Sequence, residues 1–325
     1  SMQNKLWVYI CWLVVNLTLG LLWQILIQYE HKPIMKHAFL QSDTYRKFIG
    51  DKMLLQKHTN KHSKISILFW NGNFIGGPMK QSQIIRNLAF ERCSVSNCVL
   101  LDDRSPVGVN NAHVIIFNIW DGLFNIQNLP KFRSPKQKWM FLTVEAPGRN
   151  YWQSKLNLTE LDDMFNLTAT YRHDSDWPVP YGSYTKLEKI DVTNTYSAHN
   201  KSKLIAWLAS HCETESERES IVGMIQNHTT VDVYGQCGEH CPYNCLEYIG
   251  RTYFFYLALE NNECIEYTTE KVWHNAFANN IVPVVKGKVT GYKNILPPDS
   301  YILIDDFKNY EKLHEFACMD LINPY

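Results

Sequence analysis

The sequence predicts an α/β protein with mostly parallel sheets, helices on their faces, and two domains behind a membrane-spanning amino-terminal helix. Three observations carry that expectation. From Ser63 the chain alternates hydrophobic runs with helical patterns: KISILFW, a helix around Met79 to Arg92, NAHVIIFNIW and KWMFLTVEAP. This is the rhythm of strands joined by crossover helices. Tyr253 to Gly287 fits a strand, a helix and a second strand into one βαβ unit, which connects right-handedly and places a ligand at the carboxyl ends of its strands. Leu6 to Ile27 is an apolar and weakly polar run without a charge, long enough for a helix of about 20 residues to cross a bilayer.

Taken in order, residues 1–5 form a short tail and residues 6–27 the span, with Trp7, Tyr9, Trp23 and Tyr29 near its ends as interface anchors. A cleaved signal peptide is the competing reading. Its apolar region would be shorter and would end in small residues, which do not occur here, so an uncleaved signal anchor is expected. Lys5 on one side and Glu30, His31 and Lys32 on the other leave orientation poorly marked. The long portion beyond a polar stem, residues 28–62, decides it. That portion carries N-glycosylation acceptor triplets at Asn157, Asn166, Asn200 and Asn227, which favour a lumenal location; Asn16 also fits the pattern but lies within the span.

The cysteines point to the same compartment. Of nine, eight lie beyond the span, and Cys237, Cys241, Cys245 and Cys264 crowd one region, where an oxidising lumen allows disulfides. Zinc competes for such a cluster, although the spacing C-x3-C-x3-C lacks a paired knuckle; the pairing itself is not deducible. The hydrophobic share is 45%, the charged share 20% and the formal net charge +0, so no electrostatic footprint suits nucleic acid. About 260 residues remain beyond the stem, enough for two domains of common size.

The first domain, residues 63–183, holds Gly72, Gly76 and Gly77 after its first strand. A phosphate loop is one reading; turn glycines are the plainer one, because the dinucleotide-binding spacing is missing. Glu145 follows the hydrophobic run Trp139 to Val144 and precedes Ala146, Pro147 and Gly148. It belongs at the carboxyl end of a strand, where such sheets carry chemistry, and a carboxylate there can serve as a general base. A capping or salt-bridged Glu is the plainer reading, and Asp102, Asp103 and Asp121 are second-choice carboxylates. FNLTATYRHDSDWPVPYG, Phe165 to Gly182, ends a β-rich run in an Asp-containing turn with two prolines. Tyr171, Arg172, Asp174 and Asp176 there have either a cleft-lining or a structural role.

Residues 184–202 are polar and aperiodic, a linker. The second domain, residues 203–325, opens with a strand Leu204 to Ala209, a helix from about Glu215 to Asn227 with Ile221, Met224 and Ile225 on its apolar face, and a strand Val231 to Tyr234. Its centre is Tyr253 to Gly287: a strand Tyr253 to Leu259, a polar loop Glu260 to Tyr267, a helix capped by Thr268 or Thr269 with Val272, Trp273, Ala276 and Phe277 at helical spacing, and a strand Ile281 to Val285. Lys271 stands where the helix dipole disfavours a cation unless an anion is present, and a phosphate would supply one. With Glu270 to accept from ribose hydroxyls and Tyr267 and Asn261 on the preceding loop, the stretch suits a nucleotide diphosphate. The alternative is a surface Glu and Lys on a solvated helix.

ALEN, a Cys, YTTEK, NA, and VPVV followed by Gly resemble the donor-binding signature of the α1,3-fucosyltransferases, approximately AFENSxCxDYVTEKxxxNAxxxGxVPVVxG. Phe165 to Gly182 resembles that family's FNWTMSYRRDSDIxxPYG, and KLIAWLASHCETESERESIVGMIQNHTTVDVYGQCG its KxVAWVVSNCxTxSxRxxYVxxLQxxxxVDVYGxCG; NILPPDSYILIDDF resembles NxxPPxSFIxVxDF. The resemblance implies a GT-B fold, two doubly wound Rossmann-like domains facing a cleft, the first binding the acceptor and the second GDP-fucose. It implies inverting transfer of L-fucose to the 3-hydroxyl of N-acetylglucosamine or glucose in a glycoprotein or glycolipid glycan, by a type II Golgi membrane protein.

In that implied mechanism Glu145 is the base, with Ala146 replacing the Ser of the family's ESP. Arg218 falls on the Arg that contacts the donor pyrophosphate and, with Lys271, offsets the charge of departing GDP. Glu270 and Tyr267 hold the ribose or sugar, and Asn261 positions the loop; His211 departs from the family's frequent Asn. No metal is obligatory, because fixed cations can stabilise the diphosphate, while a divalent cation has a place in assisting product release. The chain stops at Tyr325, after a helix starting near Lys308, where family members continue, leaving Cys318 without an obvious partner. An inactive lumenal relative that binds glycan or nucleotide is therefore the alternative, and a GT-B enzyme using another sugar nucleotide is a third reading.

Overall fold

The computed structural model describes residues 64–71, 95–119, 124–147, 158–187 and 201–322. The expected membrane span, the stem, the helix around Met79 to Arg92, the glycines after the first strand, Asp121 and most of the linker lie outside them. Among the described residues no helix is long and apolar enough to cross a membrane. The chain divides into two compact units, Ser1–Pro180 and Tyr181–Tyr325, and each builds its own parallel sheet.

In the first unit, strands β1 (Ile65–Phe69), β2 (Cys98–Leu101), β3 (Val114–Asn118), β4 (Lys138–Thr143), β5 (Leu167–Thr170) and β6 (Trp177–Pro178) lie in the order β2-β1-β3-β4-β5-β6, all pairs parallel. Apolar residues on both faces explain why the strands read as near-continuous hydrophobic runs: Leu68, Ile115, Phe117 and Trp139 pack on one side, Phe69, Ile116, Leu142 and Ala169 on the other. Helix α1 (Pro106–Asn111) starts on a Ser105 cap with Pro106 in its first turn. Asp103 accepts from the Ser105 amide at 2.8 Å and from its hydroxyl at 2.9 Å, so this second-choice carboxylate braces the cap. The order of the strands reverses between β1 and β3. There Asn71 donates from Nδ2 to the Asn118 carbonyl at 2.6 Å and accepts from the Asn118 amide at 3.2 Å, tying the two strand ends together.

The second unit places β7 (Lys203–Leu208), β8 (Val231–Tyr234), β9 (Tyr253–Leu257), β10 (Val282–Val285) and β11 (Ile302–Leu303) in the order β11-β10-β9-β7-β8, again all parallel. Successive β7 residues face opposite layers: Ile205 and Trp207 join Ile221, Val222, Ile225, Leu313 and Ala317 of α2 (Arg218–Gln226) and α4 (Tyr310–Ile322). Ala206 joins Ile249 of α3 (Cys245–Thr252), with Val272 and Ala276. Met224, expected on the apolar face of α2, is 41% exposed, and Val222 takes its place in the core.

The expected helix after the polar loop is not α-helical. Lys271–Ala276 forms a wide π turn and Phe277–Asn279 a 3₁₀ turn, ended by Asn280 in the left-handed region at φ 54°. Neither threonine caps it; the cap position is Glu270, without a side-chain cap bond, because the Thr269 amide and hydroxyl are committed elsewhere. Wide turns of this kind occur often at functional sites.

Candidate functional site

In open parallel sheets ligands bind at the carboxyl ends of the strands where the strand order reverses. In the second unit that point lies between β7 and β9, and Arg218 marks it. The guanidinium is buried, 4% exposed. It donates to the Leu259 carbonyl after β9 and to the His211 carbonyl after β7, each at 2.9 Å, stacks on Trp207 and reaches Glu219 at 3.4 Å. Glu217, at φ 51°, delivers it to the start of α2. Ser216 fastens the same loop to the polar stretch beyond β9, its hydroxyl donating to the Glu260 carbonyl at 2.6 Å and its amide to the Asn261 carbonyl at 3.2 Å. A disulfide between Cys212 and Cys237 joins the loops after β7 and β8, and another links Cys241 to Cys245. These pairs consume the thiols for which zinc competed, and Cys264 is left free.

The second cluster hangs from Glu260, whose side chain is 2% exposed. Its carboxylate accepts from the Thr269 amide at 2.7 Å, from the Thr269 hydroxyl at 2.9 and 2.8 Å, and from the Lys271 ammonium at 3.0 Å. Lys271 also donates to Thr269 Oγ1 at 2.8 Å and to Glu270 at 3.1 Å. The anion that the position of Lys271 demands is therefore supplied by the protein itself. Burial works against the charge on Lys271, but Glu260 and Glu270 outweigh it and raise the ammonium above its ordinary value. Burial pushes the Glu260 carboxyl up; Lys271 opposes this and Glu270 adds to it. Burial likewise acts on Glu270, yet the charge and hydrogen bond of Lys271 prevail and hold that carboxyl below its usual value.

Tyr267 is 1% exposed and meets Tyr181 edge-on at 6.4 Å. Asn261 Oδ1 and Thr268 Oγ1, both buried, have no hydrogen-bond partner among the described residues. Gly182, the end of the PYG run, lies against Trp273 of the π turn so closely that a Cβ would stand 2.3 Å from the ring. Gly287, at φ +108°, closes the other side, its amide donating to Asp305 at 2.8 Å while the Glu263 side chain packs beside it.

In the first unit Glu145 lies two residues beyond the end of β4, half-buried, its amide donating to Thr143 Oγ1 at 3.2 Å. The residues of the Asp-containing turn serve one another. Arg172 and Asp174 form a two-bonded exposed pair at 2.8 and 2.5 Å, and Asp176 accepts from the Thr168 amide and hydroxyl at 3.0 Å, locking β5 to the turn.

Residues 62–182 match the model of the fucosyltransferase N-terminal domain, and residues 198–319 that of the glycosyltransferase family 10 (fucosyltransferase) C-terminal domain. A 3-galactosyl-N-acetylglucosaminide 4-alpha-L-fucosyltransferase of Bos taurus is 31% identical over 264 residues, covering 79% of this chain and 68% of its own. The chain belongs to glycosyltransferase family 10, the fucosyltransferases. Alpha-(1,3)-fucosyltransferase C of Drosophila melanogaster is 30% identical over 323 residues, covering 90% of this chain and 74% of its own. A crystal structure of an alpha1,3-fucosyltransferase shares the fold, at a TM-score of 0.51 and 16% identity over 82% of each chain.

Within this fucosyltransferase the structure brings Asn261, Tyr267, Glu270 and Lys271 onto one loop and turn, and ties Arg218 to that loop through Leu259 and Ser216. Glu145 stands in the other unit. Sequence reasoning missed Glu260, which it placed in a polar loop. The signal was present: a carboxylate directly after a run as apolar as YFFYLAL has little chance of solvation and needs a buried cation. Among the described residues no three His, Cys, Asp or Glu side chains stand together as metal ligands.

Proposed function

We propose that this fucosyltransferase moves L-fucose from GDP-fucose, in α1,3 linkage, to N-acetylglucosamine or glucose of a glycan on a glycoprotein or glycolipid, with inversion at the anomeric carbon. The supporting observation is the charged cluster at the strand-order reversal of the second unit, where Arg218 and the Lys271–Glu270 pair adjoin one loop. In this reading Lys271 and Arg218 offset the charge that develops on GDP, Glu270 and Tyr267 hold the ribose or sugar, and Asn261 orients the loop. Fixed cations can do this without an obligatory metal. Glu145 takes the proton from the acceptor hydroxyl as its oxygen bonds to the anomeric carbon and the bond to the diphosphate breaks, a single displacement that inverts the centre. The two units are read as the halves of a GT-B transferase. The charge-free run Leu6 to Ile27 and the glycosylation triplets support a type II protein of the Golgi membrane, and the two disulfides fit an oxidising lumen.

The test is transfer from GDP-fucose by the full chain across a panel of glycan acceptors, with the product anomer assigned by NMR. Transfer from GDP-fucose but not from UDP-sugars supports the reading. A folded chain that neither transfers fucose nor gains thermal stability from GDP refutes it.

A further inference from the structure

In the charged cluster the carboxylates outnumber the cations. Arg218 and Lys271 face Glu219, Glu260 and Glu270 within ion-pair distance, so the protein's own groups already sum to a negative charge. A diphosphate engaging Lys271 adds at least two more negative charges and competes with Glu260 for the one ammonium. Glu260 is buried, and a buried carboxylate that loses its counter-charge is costly enough to take up a proton instead. Glu270 is more open, with 27% of its side chain exposed, and can be solvated.

The local geometry accommodates a neutral Glu260. The Thr269 amide bond to Oε1 at 2.7 Å survives in either state. The Thr269 hydroxyl lies within 2.9 Å of both carboxyl oxygens, so the proton gained by Glu260 can be donated to Thr269 Oγ1 once the ammonium turns toward phosphate. We infer that binding of a nucleoside diphosphate is coupled to uptake of a proton, and that Glu260 is the group that receives it. Besides Lys271 and Glu270, the ionisable groups facing this cluster are Tyr292, Tyr256, Arg218 and, beside Glu270, His274, whose imidazole is held below its ordinary value by burial. Burial holds both tyrosines neutral, Tyr256 pushed up to about 12 and Tyr292 higher still, and a guanidinium stays charged. Glu260 and His274 are then the groups with a proton to gain; Glu260 is the one that loses its counter-charge when Lys271 turns to phosphate, and Glu260→Gln separates the two.

The inference rests on the reading that the diphosphate of GDP sits on Lys271. The full chain is titrated calorimetrically with GDP in buffers of different ionisation enthalpy, at about pH 7 to 9 where the nucleotide is itself fully ionised; a terminal phosphate, with its second pKa near 6, would release a proton and not take one up. Uptake approaching one proton per GDP is expected, with affinity falling by up to about tenfold per pH unit as pH rises. Glu260→Gln, which mimics the protonated acid, should bind GDP with buffer-independent heat and a flat pH profile, and Glu260→Asp should retain uptake. Wild-type binding with buffer-independent heat overturns the inference whether or not the variants fold, and uptake persisting in folded Glu260→Gln overturns the assignment to Glu260. Failure of the wild-type chain to bind GDP at all refutes the donor reading as well.

Discussion

The two sheets share a plan and differ in how their charged residues are held. In the first unit the backbone at the β1 and β3 ends is tied by a neutral asparagine, and Glu145 stands half-buried past β4. In the second, the corresponding reversal is filled by charge: Arg218 is held by carbonyls from two loops, and Glu260, Thr269, Lys271 and Glu270 interlock within hydrogen-bond distance. A group that only holds charge can be fixed by many bonds, since its task is to be in place before a ligand arrives. A general base must instead exchange a proton in every turnover. On the proposed reading, the second unit would bind the donor and Glu145 of the first would take the proton.

The largest effect that would test this contrast is on the rate. Glu145→Gln should lower fucose transfer by about 10² to 10⁴-fold while GDP affinity and melting temperature stay at wild-type values. A fall in GDP affinity of similar size would place Glu145 in the donor site and erase the distinction. Arg218→Ala should act on both stability and binding, because it strands two buried carbonyls and Glu219. A loss of roughly 3 kcal/mol is expected, visible in denaturant unfolding, together with weaker GDP binding. A variant that loses GDP affinity at unchanged stability would mean that the buried carbonyl bonds carry little.

Smaller effects sharpen the picture. Gly182→Ala forces a methyl group against the Trp273 ring, and overpacking of this kind costs about 1–3 kcal/mol; a lower melting temperature checks it, with partial recovery on adding GDP if the π turn is part of the donor site. Arg172→Ala removes an exposed pair and should cost no more than about 1 kcal/mol, with transfer unchanged. A loss of transfer there would favour the cleft-lining role over the structural one.

The sequence by itself determined the class of the protein. Strand and helix rhythm, the βαβ unit at Tyr253 to Gly287 and the pairing of TTEK with a preceding polar loop are local patterns, and they predicted parallel sheets and the loop that carries Asn261, Tyr267, Glu270 and Lys271. Hydrophobic periodicity is local too, although it put Met224 on the wrong side of α2, since periodicity gives a stripe and only packing decides its edge. What only the tertiary structure decided was who faces whom. Glu260 is adjacent in sequence to a loop but lies in space beneath Lys271, and its grip on Thr269 displaces the expected cap and goes with a π turn in place of an α-helix. Arg218 reads in sequence as one charge among glutamates on a helix; the structure buries it between the ends of β7 and β9. The Cys212–Cys237 pairing was equally illegible, because it depends on which loops the sheet brings together. Chain-local rules record propensity, whereas burial of a charge depends on contacts between residues tens of positions apart.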